Sequence, residues 1–300
     1  MARFSVIVVS YNTEDLLARC LDSVLAQTSR EDEVLVVDNA SSDGSAALVG
    51  RSYPAVRLIQ SGRNVGFGAG NNRGLAASDG DYALLLNPDC ELAPGSLDGL
   101  YRFMEAHPSA AVAGGRLRYA DGAFQHSSFR FPTLWQVLLD LFPMSWRLTE
   151  SALNGRYPRA WDEHAFEMDH PLGALMCARR AAIAQVGSFD EGFFMYAEEV
   201  DWCLRFKRAG WQVWHCPDAL AVHHGGQSTS QQAGAMFVQL HRSRFRLYRK
   251  HYPRWFTPLA RVIVRAGIAK RTVLQWWGGR ALTPAERRAR LDPLLEVMRL

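Results

Sequence analysis

Apolar runs that stop abruptly on polar side chains constrain the first 90 residues of this chain more than any other feature. Residues 4–10 are β-rich and lead into Ser10-Tyr11-Asn12, and residues 33–37 end on Asp38-Asn39. Residues 56–59 precede the glycine-rich Asn64-Val65-Gly66-Phe67-Gly68, and residues 82–86 stop on Asn87-Pro88-Asp89. After the first run, Leu17, Cys20, Leu21, Val24 and Leu25 recur at helical spacing behind Glu14 and Asp15, and residues 41–45 open another helix. Such alternation predicts an α/β fold with a mostly parallel sheet flanked by helices. Ligands of these sheets sit beyond the carboxyl ends of the strands, where a nucleotide is the natural occupant. Asp89 is therefore the first candidate metal ligand, although Asn-Pro-Asp is also ordinary turn chemistry. Asp38 reads either as an acceptor for a base or ribose, or as part of the cap of the next helix. No glycine fingerprint follows the first strand, and no Gly-x-x-x-x-Gly-Lys-Ser/Thr occurs. A nicotinamide dehydrogenase and a P-loop NTPase are thereby disfavoured.

A second chemical cluster is Phe194-Met195-Tyr196-Ala197-Glu198-Glu199-Val200-Asp201. Val200, Cys203 and Leu204 share a helical face, Lys207 and Arg208 occupy the last turn, and Gly210 suits the end. The helix dipole alone favours one acid at such a helix start, but three within four residues exceed what capping requires. Further on, His223 ends an apolar stretch before a glycine turn, where an imidazole can serve a metal or a phosphate.

Charge is divided unevenly. The net charge of +4 conceals a segment, residues 241–300, with 15 Lys and Arg against three acids, which leaves the first 240 residues at −8. Its basic residues are interleaved with Phe245, Tyr248, Trp255, Phe256, Trp276 and Trp277, a pattern that suits an anionic bilayer surface. Nucleic-acid binding is the rival reading, which the catalytic motifs weigh against, and a dimer-forming helical appendage is the third. Residues 127–168 read as a wall around an acceptor, a lipid-touching surface or a buried helix. Five scattered cysteines without a Cys-x-x-Cys pair fit a reducing compartment, and no stretch predicts a signal peptide or a transmembrane helix. Any membrane attachment is expected to be peripheral, on the inner, cytoplasmic face of the cell membrane.

The ordered motifs together resemble the inverting family 2 glycosyltransferases of the GT-A fold. They are Val8-Val9-Ser10-Tyr11-Asn12, Val36-Val37-Asp38-Asn39, Asn64-Val65-Gly66-Phe67, Asn87-Pro88-Asp89, Glu198-Glu199-Val200-Asp201 and His223-x-x-Gly226-x-Ser228. The likeness spans residues 5–229, and implies a catalytic domain over 1–229 followed by a basic, aromatic helical region over 230–300. It implies that Asp38 and the Ser10-Tyr11-Asn12 loop, with Asn64 and Gly66, hold a nucleotide-sugar. Asp89 would carry Mg²⁺ or Mn²⁺ on the diphosphate, with His223 completing the site. Relatives often have Asp-x-Asp here, and Asn87 replaces the first acid. Glu199 resembles the catalytic base, with Glu198 as runner-up and Asp201 in support. Within the family, the Phe-Phe-Met-Tyr-x-Glu-x-Val-Asp and His-x-x-Gly-x-Ser segments look like those of bacterial rhamnosyltransferases of cell-wall linker and O-antigen assembly. That likeness implies dTDP-L-rhamnose as donor and a polyprenyl-diphosphate-linked glycan as acceptor. A UDP-sugar transferase and a catalytically silent sugar-binding scaffold are the competing readings.

Overall fold

The computed structural model describes residues 3–225, 232–278 and 283–300. The four apolar runs become β1 (Phe4–Ser10), β2 (Asp32–Asp38), β3 (Arg57–Gln60) and β4 (Tyr82–Leu86), parallel and ordered β3-β2-β1-β4. Every residue of β1 is buried, as a central strand covered on both faces requires. Ser10 pairs with Asp38 and Val8 with Leu86, so the polar stops after β1, β2 and β4 emerge at one edge of the sheet.

The remaining strands follow in chain order: β5 (Cys90–Leu92), β6 (Ala110–Arg118), β7 (Phe124–Gln125), β8 (Ser128–Phe129), β9 (Phe166–Glu167), β10 (His170–Pro171), β11 (Leu175–Arg179) and β12 (Gln212–His223). The main sheet continues β4-β11-β6-β12-β5, with β7 on β6 and β9 on β12, while β8 and β10 form a separate pair. β11 lies antiparallel between β4 and β6, which the sequence reading does not anticipate. An apolar run of five residues there carries no periodicity that separates a strand from a helix turn. β12 runs parallel to β6 and antiparallel to β5, and its last residue, His223, pairs with Cys90 beside Asp89.

The glycine-rich segment forms the helix Phe67–Ala76. A Cβ at Gly74 would overlap the side chain of Ile7, so glycine lets this helix lie close on β1. Residues 127–168 divide their roles: in the helix Leu134–Leu141 Val137 and Leu139 are buried, whereas Trp135, Met144 and Trp146 are exposed.

The carboxyl-terminal helices Ala233–His251, Phe256–Gly278 and Pro284–Arg299 are no detached appendage. Phe245, Tyr248, Phe256 and Val264 share one core with Phe193, Ala197 and Val200, the segment that carries the paired glutamates. Fully burying one such side chain contributes about 1.5–3 kcal/mol. Part of the basic charge is paired with acids of the body: Arg244 with Asp140, Arg246 with Asp190, and Lys250 with Asp190 and Asp201. The acidic body and the basic helices thus meet across this contact. The expected boundary between residues 229 and 230 lies outside the described residues.

Candidate active site

A cavity of about 330 Å³ opens at the carboxyl edge of β1, β2 and β4. Of the residues singled out from sequence, Tyr11, Asn64, Asn87, Asp89, Glu198, Glu199 and His223 line it. Ser10, Asn12, Asp38, Gly66 and Asp201 do not.

Asp89 and His223 meet because β5 and β12 pair. His223 Nε2 stands 3.4 Å from Asp89 Oδ1, and His224 N–H donates to the Asp89 carbonyl at 2.9 Å. His223 Nδ1 donates to Gln125 Oε1 at 3.2 Å, which directs the lone pair of Nε2 toward the carboxylate. Nε2 is buried and makes no hydrogen bond among the described residues. Two lone-pair groups held face to face suit a shared divalent cation, the second nitrogen being fixed as outer partners of metal-binding histidines are. Cys90 Sγ lies within 4.8 Å of both ligand atoms, but burial and the Asp89 charge push its thiol well up, and it donates to the Ala174 carbonyl at 3.4 Å. Mg²⁺ and Mn²⁺ prefer oxygen and imidazole nitrogen to sulfur, so the donors that suit them here are one carboxylate oxygen and one imidazole nitrogen. Imidazole accepts Mn²⁺ more readily than Mg²⁺, and both take diphosphate oxygens.

Across the cavity, the helix Glu198–Arg208 presents both glutamates from its first turn. Two consecutive left-handed residues precede it, Tyr196 at φ 68° and Ala197 at φ 66°, at a cost of about 1–3 kcal/mol each. The strained segment is clamped from two sides. Ser243 Oγ donates to the Met195 carbonyl at 2.7 Å, and Phe67 N–H donates to the Phe194 carbonyl at 2.9 Å. Gly66, at φ 87°, permits the second clamp, because any Cβ there would overlap that same carbonyl.

Glu198 is buried, and its Oε2 has no hydrogen-bond partner among the described residues. Burial first, and repulsion from Glu199 second, raise its pKa well above the ordinary glutamate value. Burial raises Glu199 to about 7, opposed by hydrogen bonds from backbone N–H groups of the helix start. Glu199 keeps part of its surface open to the cavity, so of the two it ionises first. A carboxylate of raised basicity facing a cavity is suited to accept a proton near neutral pH.

The other sequence candidates are placed as supports. Ser10 Oγ shares a 3.0 Å hydrogen bond with Thr13 Oγ1, and Asn12 Oδ1 accepts from Ser42 N–H at 2.7 Å. Asp38 Oδ2 accepts from Ser41 N–H at 3.2 Å, which braces the turn leading toward the helix Ser45–Ser52 without capping it, while its buried Oδ1 has no hydrogen-bond partner among the described residues. Asn64 Oδ1 accepts from Asn39 Nδ2 and from Gly66 N–H, which fixes the loop. Asp201 points away from the cavity: its carboxylate is held by His251 and Lys250 at 2.6 Å and by Arg205 at 2.9 Å. Although burial alone would raise it, these partners hold Asp201 below the usual carboxylate range. Gly226 and Ser228 lie outside the described residues. Gln125 and Gly173 escaped the sequence reading; Gln125 meets His223 across 98 residues of chain, and no local pattern signals that contact.

The family described as "Glycosyl transferase family 2" matches residues 5–166. The N-acetylglucosaminyl-diphospho-decaprenol L-rhamnosyltransferase of Mycobacterium tuberculosis is 31% identical over 290 residues, 90% of this chain and 91% of that protein. The rhamnosyltransferase WbbL of Escherichia coli is 27% identical over 73% of this chain and 82% of its own length. Among solved structures, the mannosyltransferase PcManGT from Pyrobaculum calidifontis, in complex with GDP-Man and Mn²⁺, superposes with a TM-score of 0.56 at 17% identity, covering 99% of this chain and 85% of the other. That likeness establishes the GT-A fold.

Proposed function

This chain belongs to glycosyl transferase family 2, and on that footing we propose that it transfers L-rhamnose from dTDP-L-rhamnose to a polyprenyl-diphosphate-linked glycan, with inversion. The reading fits a role in cell-wall or surface polysaccharide synthesis. One observation carries it: Glu199 on one side, and Asp89 with His223 on the other, line a single cavity at the nucleotide edge of the sheet. Residues 1–229 would form the catalytic domain and residues 230–300 the helical region that braces it.

In the proposed reaction, Glu199 takes the proton of an acceptor hydroxyl as that oxygen bonds to the anomeric carbon. The bond from that carbon to the diphosphate oxygen breaks on the opposite face, and the nucleoside diphosphate leaves with the electron pair. One base is enough, and the configuration inverts. Glu198 is more deeply buried, and its Oε2 has no hydrogen-bond partner among the described residues. Asp89 and His223 would hold Mg²⁺ or Mn²⁺, which when bound supplies positive charge to the departing diphosphate. The unpartnered Oδ1 of Asp38 supports a role in accepting a hydrogen bond from the base or ribose.

A panel of dTDP-, UDP- and GDP-sugars, followed by thermal unfolding with Mn²⁺, tests the donor assignment, because a ligand that binds only the folded state raises its apparent stability. The largest rise is expected with dTDP-L-rhamnose, and a consistent preference for a UDP-sugar would replace it as donor.

Among the described residues no helix is long and apolar enough to cross a membrane. The helix Phe256–Gly278 nevertheless exposes Leu259, Val262 and Val273 along one stripe, with Trp255 at its head. Such a face, with basic residues beside it, supports peripheral attachment to an anionic bilayer. The double substitution Val262→Glu and Val273→Glu is expected to abolish co-flotation with anionic vesicles at low salt. Undiminished flotation would remove the membrane from the proposal.

A further inference from the structure

A second pocket, of about 220 Å³, adjoins the first at Tyr196 and Glu199, which line both. Its walls come from the segment 129–156 and from the helix Ala233–His251. Three arginines line it. Arg244 is already paired with Asp140 at 2.8 Å, whereas Arg130 and Arg156 have no carboxylate within ion-pair distance among the described residues. Each of these two is held by an aromatic ring instead: Arg156 lies 5.1 Å from the centre of Phe129, and Arg130 lies 4.7 Å from the centre of Tyr157. Stacking of this kind orients a guanidinium without neutralising it.

The wall also holds two unsatisfied polar atoms. Arg156 Nε and Asn154 Oδ1 are buried without a hydrogen-bond partner among the described residues, and Asn154 is 7% exposed with its Nδ2 donated to the Thr149 carbonyl. Buried donors and acceptors left unpaired are costly, and their clustering at one wall beside a reactive carboxylate indicates a site built for a polar ligand. The ligand must bring negative charge for Arg130 and Arg156, together with hydroxyl or amide hydrogens for Asn154 and for Glu199. A sugar carried on a diphosphate has both.

We propose that this second pocket is the acceptor subsite, with Arg130 and Arg156 as ligands of the acceptor's diphosphate, Asn154 facing its sugar, and Glu199 at the junction where acceptor and donor meet. The assignment rests on the transferase reading given above. It explains why Glu199 borders both cavities while Glu198 borders only the first. Arg244 and Asp140 also line the pocket and, as a matched pair, add no net charge.

Phosphate could come from the acceptor or from a bilayer headgroup, and the test separates them. Transfer is measured to farnesyl-diphosphate N-acetylglucosamine and to uncharged octyl N-acetylglucosaminide, with wild type, Arg130→Gln, Arg156→Gln and Arg156→Lys. Arg130 is exposed, so its substitution leaves the fold intact. Wild type is expected to favour the diphosphate acceptor. Each Gln variant is expected to raise the KM for that acceptor about tenfold or more, and to leave the KM for the uncharged acceptor and the affinity for donor unchanged. Arg156→Lys should recover part of the loss, since a point charge replaces a planar fork. An unchanged preference for the diphosphate acceptor in Arg130→Gln and Arg156→Gln would overturn the assignment. So would variants that lose binding to anionic vesicles but keep that preference, which would make the pocket a headgroup site. Absence of transfer to either acceptor by wild type would instead refute the transferase reading itself.

Discussion

Glu199→Gln is expected to lower turnover by about 10²- to 10⁴-fold while donor binding is retained, the usual contribution of a positioned general base. Gln keeps the volume and hydrogen-bonding shape of the side chain and removes only its ability to take a proton. Because burial raises the Glu199 carboxyl to about 7, the wild-type rate should climb as pH rises through that value. The sign follows from the active form: the base works deprotonated, and its deprotonated fraction grows with pH. Glu198 is not expected to substitute, since it borders only the first cavity whereas Glu199 borders both. A Glu199→Gln enzyme with full turnover, or a wild-type rate that falls across neutral pH, would move the base elsewhere in the cavity.

Asp89→Ala should abolish the effect of Mn²⁺ on donor binding and weaken that binding about 10²-fold or more. The fold should tolerate the change, because the backbone carbonyl of Asp89, which accepts from His224, is untouched by it. His223→Gln should cost less, as imidazole carries no formal charge toward the diphosphate and diphosphate oxygens remain to fill the shell. Calorimetric titration of donor with and without Mn²⁺ separates the two variants. Wild-type activity that persists undiminished in a chelator would contradict the role given to both residues.

Much of this was readable from residues whose local pattern is their cause. Asp89 stands out because an apolar strand stops on it, and the sheet register then carries it to the edge shared with the ends of β1 and β2. Glu198 and Glu199 stand out because three acids at a helix start exceed what a dipole needs. The third acid shows where such reading runs out. Successive helical residues turn by about 100°, so Asp201 lies on nearly the opposite face from Glu199, and it is engaged by the helix Ala233–His251. Gln125 and β11 were illegible for another reason: their positions come from pairings between strands far apart in sequence, with no local periodicity to announce them. Charge counted over the carboxyl-terminal segment as a whole does not reveal which of its residues turn toward the body. In the fold, Phe245, Tyr248 and Phe256 fill a core, while part of the cationic charge answers Asp140, Asp190 and Asp201.

That shared core limits how the protein can be cut and recombined. Exchanging the last seventy residues for those of a relative, a natural way to seek new acceptor preferences, would also replace the partners of Phe193, Ala197 and Val200, and with them the Ser243 hydroxyl that pins Met195. A working chimera has to carry residues 190–201 across together with the terminal helices, because the two stretches behave as one inheritable unit although more than thirty residues of chain separate them.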